Sequence, residues 1–497
     1  MRRAASLLAT AFAVCLLALA PQPSQAEPAP RSFVTQHVGV FGGRRVSYEA
    51  IAGETILRDA KGAPAASLFS FSYVAKTAKP DRPVLFIFNG GPGSSSVWLH
   101  LGMAGPRQVD FTDEVNPPTV PPFPLKDNPN ALLDVADLVF IDPPGTGFSR
   151  VLPGGRTEDY YGTNQDALAV AKFIADWLSR NDRWASPKFV MGESYGTTRA
   201  AALATTLMGG PTSASGELGA ITLNGVLVLG PAMGGAVGDH LYGANLPAMA
   251  ATAWYHRPEL RKGRTLDEAV EAARTLAADS YMRGLYLGNA LPVADRQTLA
   301  EQLAELTGVP AQTWLDNRLR LGLGAFSREV LKDRGLQVGA YDSRYVLPLK
   351  AAGADPVADD PAMGQYTPAF VGAMNSYLTG ELKVRMDAPY IPIAFAQVNS
   401  KWDYGPGGPR SRDAAAELAQ ALRRNPSLQL FVAAGHYDLV TTLGGAEYAL
   451  NQVDLPQDRV TVKAYPSGHM PYLGADSARA LAADVRAFIL QAAQGSE

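Results

Sequence analysis

The chain has 497 residues, of which 47% are hydrophobic and 18% charged, with a formal net charge of -3. This is the composition of an ordinary globular protein with a large core, long enough for one large domain with an insertion or for two to three domains. The near-neutral balance, with no run of five or more Lys and Arg, argues against nucleic acid as a partner.

Residues 1 to 26 read as an export signal. Arg2 and Arg3 precede an apolar stretch from Leu7 to Ala20, small residues at Ser24 and Ala26 suit a cleavage site, and the mature protein would start near Glu27. A periplasmic or secreted protein is expected, with an uncleaved N-terminal anchor as the alternative. No later segment reaches about 18 consecutive apolar residues, so no integral membrane segment is expected in the mature chain. The single cysteine, Cys15, falls inside the signal, which leaves the mature protein without disulfides, a thiol nucleophile or cysteine metal ligands.

From Val46 to Tyr73 apolar and polar residues alternate between Gly and Asp turns, which predicts antiparallel strands. Val84 to Phe88, Leu138 to Ile141, Phe189 to Met191 and Val226 to Leu229 are unbroken apolar runs, the pattern of parallel strands covered on both faces. Asn89, Asp142 and Ser194 fall at or just past the carboxyl ends of these runs, where such sheets gather an active site. Phe189 to Met191 leads into Gly192-Glu193-Ser194-Tyr195-Gly196 and then into Thr197 to Met208, rich in Ala and Leu. Strand, G-x-S-x-G turn and helix together are the setting of a serine nucleophile, against the plain reading of a Gly-Ser loop.

Between about 235 and 385 the pattern becomes helical. Thr265-x-x-Glu268 forms a capping box before Ala269 to Ala278, helices are expected around Asp295 to Leu306 and Phe326 to Leu336, and no buried strand interrupts them. Strands resume at Leu428 to Ala433 and Val460 to Ala464, and the closing helix carries Leu481, Val485, Phe488 and Ile489 on one face. The expected organisation is a signal over 1–26, an α/β core over 27–234 and 386–497, and a helical cap inserted at 235–385.

A serine hydroxyl needs a base to take its proton and a carboxylate to orient that base. His469 lies between the last strand and the last helix, and Asp438 follows the preceding strand, giving the order Ser194, Asp438, His469 of an α/β hydrolase with a mostly parallel central sheet. His436, two residues before Asp438, competes for the role of base. The amides of Tyr195 and of Gly91, in Asn89-Gly90-Gly91-Pro92-Gly93, are the expected oxyanion hole. The rival phosphate loop lacks its Gly-Lys-Ser/Thr signature, and no metal or other cofactor is expected, since no His-x-x-x-His pattern occurs.

Four motifs taken in order resemble the serine carboxypeptidase family: Asn89 to Ser96, Asp142-Pro143-Pro144-Gly145-Thr146-Gly147-Phe148-Ser149, Gly192 to Gly196, and Gly468-His469-Met470. The resemblance covers about 40 to 234 and 386 to the end, and places the family's cap at the helical insertion. It implies that Asn89, Gly90 and Glu193 bind the free carboxylate of a peptide's last residue, that Gly91 and Tyr195 hold the oxyanion, and that peptides with a free C-terminus are the substrates. Glu193 can donate a hydrogen bond only when protonated, which matches the family's acidic preference.

Two positions depart from the family. Met103 stands where a second glutamate usually partners the one before the nucleophile, and Ser94 stands where a disulfide-bonded cysteine is common. The first departure keeps open another acyl-transfer enzyme on the same scaffold, such as an aminopeptidase, an esterase or an acyltransferase. A non-catalytic binding protein is a third reading, disfavoured by the complete set of triad residues and oxyanion donors.

Overall fold

The computed structural model describes residues 29–76, 81–111, 114–210, 219, 221–351, 353, 355–408 and 412–494; the signal read at 1–26 and Cys15 lie outside them. Fourteen strands occur among the described residues. In chain order they are β1 (Ser32–Phe41), β2 (Arg44–Arg58), β3 (Pro64–Ala75), β4 (Val84–Phe88), β5 (Arg107–Val109), β6 (Leu125–Asp127), β7 (Asp137–Asp142), β8 (Arg150–Val151), β9 (Lys188–Glu193), β10 (Gly225–Leu229), β11 (Leu336–Val338), β12 (Val346–Pro348), β13 (Gln429–Gly435) and β14 (Val460–Tyr465).

Ten of them form one sheet in the order β1-β2-β3-β7-β4-β9-β10-β13-β14, with β8 on β3. From β7 to β14 every pairing is parallel, whereas β1, β2, β3 and β7 pair antiparallel. The unbroken apolar runs follow from burial on both faces. Leu85 and Ile87 of β4 point into one cluster with Leu138, Phe140, Phe189 and Met191, while Val84, Phe86 and Phe88 point into the other with Val139, Ile141 and Val190. The closing helix Ala475–Ala493 buries Leu481, Val485, Phe488 and Ile489, as its spacing predicts. The architecture is a mostly parallel central sheet with helices on both faces.

Between β10 and β13 the chain runs through the helices Asp239–His256, Leu266–Leu276, Val293–Thr307, Leu323–Glu329, Met363–Gly380 and Ala414–Arg424, among shorter elements. The capping box is formed, with Thr265 accepting from the Glu268 amide and Glu268 accepting from the Thr265 amide at 2.8 Å. The first four helices share an apolar cluster of their own around Tyr281, Trp314 and Phe326, whereas Met363–Gly380 lays Tyr366, Phe370 and Tyr377 into a cluster on the main sheet.

One expectation is corrected in this segment. The helix near Phe326 stops at Glu329, Gly335 turns the chain at φ 67°, and Leu336 starts the antiparallel pair β11 and β12. Strands of three residues are too short to show as a period in the sequence. No helix among the described residues is long and apolar enough to cross a membrane.

Candidate active site

The end of β9 shapes the site. Ser194 has φ 60° and ψ -125°, a left-handed conformation costly for a residue with a β-carbon, at about 1–3 kcal/mol. Gly192 cannot be replaced without moving the turn, since a β-carbon there would come within 2.1 Å of the Gly196 carbonyl oxygen. The Ser194 amide is fixed to the Leu229 carbonyl of β10 at 2.9 Å, and the helix Tyr195–Met208 starts at the next residue with its amide end toward the serine.

The loops after β13 and β14 bring Asp438 and His469 together. His469 Nδ1 is 2.8 Å from Asp438 Oδ2, and both side chains are buried. Asp438 also accepts from the Val440 amide at 2.7 Å, the Thr441 amide at 2.9 Å and the Thr441 hydroxyl at 2.7 Å. Burial works against its charge, but His469 and these donors hold the carboxyl below its ordinary range. Burial likewise disfavours the imidazolium, but Asp438 outweighs it and raises His469. The ring's hydrogen-bond contacts, to Asp438 and Thr441, are through Nδ1, and His469 lines the same cavity as Ser194.

That cavity measures about 60 Å³. Its polar wall is Asn89, Gly90, Gly91, Glu193, Ser194 and His469. The loop carrying Asn89 to Gly91 is pressed against the elbow, since a β-carbon on Gly90 would lie 2.5 Å from the Tyr195 amide nitrogen. It is braced from behind by the fully buried Arg199, which bonds Asp166 at 2.6 Å and donates to the Asn89 carbonyl. Further along, Ser96 donates to Asp142 through its amide at 2.8 Å and its hydroxyl at 2.7 Å, tying the first two motifs together. A second cavity of about 650 Å³ opens on the other side of Ser194, lined by Gly91, Tyr195 and Thr441 among others.

Glu193 is the chemically unusual member. Asn89 Nδ2 donates to its Oε1 at 3.0 Å, and Oε2 is buried with no hydrogen bond. Burial pushes its carboxyl up to about 7, offset only in part by His469, the Tyr472 hydroxyl and Asn89. Met103 is 3% exposed within the apolar cluster on the sheet.

Two residues of the site were not legible beforehand. Thr441 could have been suspected as a hydroxyl three residues past a candidate acid, the spacing of a local turn that ties a carboxylate. Tyr472 carried no local signal. By contrast His436 lines neither cavity; it sits 3.7 Å from Asp267, and burial lowers its imidazole to about 4. Ser94 accepts from Trp98 Nε1 at 2.8 Å. Among the described residues no group of His, Cys, Asp and Glu could hold a metal ion.

The parallel sheet, the strained serine at a strand-to-helix turn and the acid–imidazole pair after the last two strands define an α/β hydrolase fold. A serine carboxypeptidase family model matches residues 57–262. Two Arabidopsis thaliana proteins, serine carboxypeptidase-like 50 and serine carboxypeptidase-like 34, are 31% identical over 156 residues and 30% identical over 152 residues. Each alignment covers 30% of this chain but only 32% and 28% of the relative, so the chain spans about a third of the curated relatives it matches. The crystal structure of Kex1(delta)p, a prohormone-processing carboxypeptidase from Saccharomyces cerevisiae, superposes with a TM-score of 0.53 at 16% identity, covering 89% of this chain and 92% of that one. That structure agrees in fold. The family likeness is to the serine carboxypeptidases, and it is carried by the stretch holding Asn89, Asp142 and Ser194.

Proposed function

We propose that this chain is an exported serine carboxypeptidase that removes C-terminal residues from peptides through Ser194, His469 and Asp438. The observation that carries the reading is the pairing of Asn89 with a buried, protonatable Glu193 in the cavity that Ser194 and His469 also line. A peptide's terminal carboxylate needs donors. Neutral Glu193 has one O–H to give, and the Asn89 amide has a second N–H beyond the one it spends on Glu193.

In the proposed reaction Ser194 Oγ attacks the last peptide carbonyl as its proton passes to His469 Nε2. The oxyanion is held by the amides of Gly91 and Tyr195. The C–N bond then breaks, His469 returns the proton to the departing amine, and the free C-terminal residue leaves. Water, deprotonated by His469, next attacks the acyl-enzyme ester, and Ser194 recovers its proton as the shortened peptide is released. Asp438 holds the Nδ1 tautomer throughout. The export part of the proposal rests on the pattern of residues 1–26, and the division into a core over 27–234 and 386–497 with a cap over 235–385 rests on the apolar cluster that the first four helices of that segment share.

The test is product analysis of an N-blocked dipeptide incubated with the wild-type protein and with Ser194→Ala. Stoichiometric release of the terminal residue by the wild type, reduced by about 10⁴-fold or more in the variant, is expected. Turnover by the variant near the wild-type rate would reject the site.

A further inference from the structure

The two cavities that meet at Ser194 differ about tenfold in size, 60 Å³ against 650 Å³. Resting on the carboxypeptidase reading, we infer that the enzyme is selective for a small residue, glycine or alanine, at the C-terminus of its substrate, and for a large apolar residue just before it.

The assignment of ends follows from the polar groups. Asn89 and Glu193 belong to the small cavity, so the departing residue and its carboxylate sit there. The acyl half then lies on the side of Tyr195 and Thr441, in the large cavity. By this measure a site needs at least about 10 to 15 Å³ to hold one water, so 60 Å³ leaves room for only a few heavy atoms. A departing alanine has about six heavy atoms and a departing phenylalanine about twelve, so the small cavity favours the first.

The walls resist displacement. Trp98 is 5% exposed, bonded to Ser94 and in ring contact with Tyr366 and Phe370, and Tyr366 is 1% exposed. Met363, Ile393, Phe395 and Met470 also line it, Ile393 and Phe395 at its partly exposed side. Enlarging such a packed wall forces side chains out of their rotamers. On the other side, Met233, Leu241, Tyr242, Leu323, Tyr404 and Leu439 offer apolar surface, and Gly322 and Gly324 have open space where a side chain would stand. Leu241, Tyr242 and Leu323 of that surface come from the helical segment.

The test uses two series of N-blocked dipeptides, one varying the last residue through Gly, Ala, Leu and Phe, the other varying the penultimate residue with Ala last. The expected result is a kcat/KM roughly tenfold or more higher for terminal Ala than for terminal Phe, and a rise with apolar bulk in the second series. Met363→Ala and Phe395→Ala, which enlarge the small cavity, should narrow the first ratio, while the rise with apolar bulk across the second series keeps its slope. Preference for terminal Phe by the wild-type enzyme would overturn the inference and leave the carboxypeptidase reading standing. Failure to cleave any dipeptide, with a simple ester still hydrolysed through Ser194, would overturn both.

Discussion

The ring of Tyr472 lies against Gly102, so close that a β-carbon on Gly102 would come within 2.4 Å of it. Its hydroxyl is buried and is among the groups that act on Glu193. Gly102 immediately precedes Met103, so the Tyr472 ring stands beside that segment. The neighbour of Glu193 here is a group that stays neutral at physiological pH, because burial raises the Tyr472 hydroxyl well above its ordinary value.

This arrangement sets the pH dependence. Glu193, raised to about 7, is neutral and able to donate below that pH; above it, its charge repels the substrate carboxylate. His469 must be neutral to act as base, and its raised value places the ascending limb above the ordinary imidazole range. The kcat/KM for a free-carboxylate peptide should therefore be a narrow bell near neutral pH, falling about tenfold per unit on the alkaline side. A simple ester should lack the alkaline limb, and so should Glu193→Gln acting on the peptide, because the amide donates at any pH. An alkaline limb of equal steepness for ester and peptide would contradict the role given to Glu193.

Tyr472→Phe keeps the ring against Gly102 and removes only the hydroxyl. That hydroxyl favours the charged form of Glu193, so its loss should move the alkaline limb of kcat/KM upward in pH with little change in the plateau. An unchanged limb would show that Tyr472 serves packing alone.

The elbow stores strain that glycine would relieve. Ser194→Gly should raise stability in denaturant unfolding by about 1 kcal/mol while abolishing turnover, since φ 60° costs glycine nothing. Equal or lower stability would mean that the elbow is not strained as its dihedrals indicate.

Thr441 acts through Asp438, and His436 lies outside both cavities. Thr441→Val should lower kcat roughly tenfold, the worth of a hydrogen bond to a charged group, with KM little changed. His436→Ala should leave kcat within about twofold, the range of a residue remote from the chemistry. A loss for His436→Ala exceeding that for His469→Ala would make it the base and remove His469 from that role.

What the sequence could reveal depended on the range of the interactions. The parallel strands were legible in Val84 to Phe88 and Val226 to Leu229 because burial on both faces leaves a run of apolar residues. Ser194, Asp438 and His469 were legible because each sits in a turn at a strand end, where chain order carries the information. β11 and β12 were not, being only three residues each. Tyr472 was not either: its role depends on Gly102 and Glu193, hundreds of residues away, and only the closed sheet brings the three together. Nor did any local pattern distinguish the helix Met363–Gly380, which packs on the sheet, from its neighbours, which pack on one another.

The most direct measurement compares kcat/KM for one N-blocked dipeptide with that for its C-terminal amide, at a pH below 7. With Asn89 and neutral Glu193 receiving the carboxylate, the free acid should be cleaved at least about a hundredfold better, the loss expected when a charged hydrogen-bonding partner is removed from buried donors. Equal cleavage of acid and amide would contradict the account, and would make this chain an acyl-transfer enzyme that does not read the peptide's end.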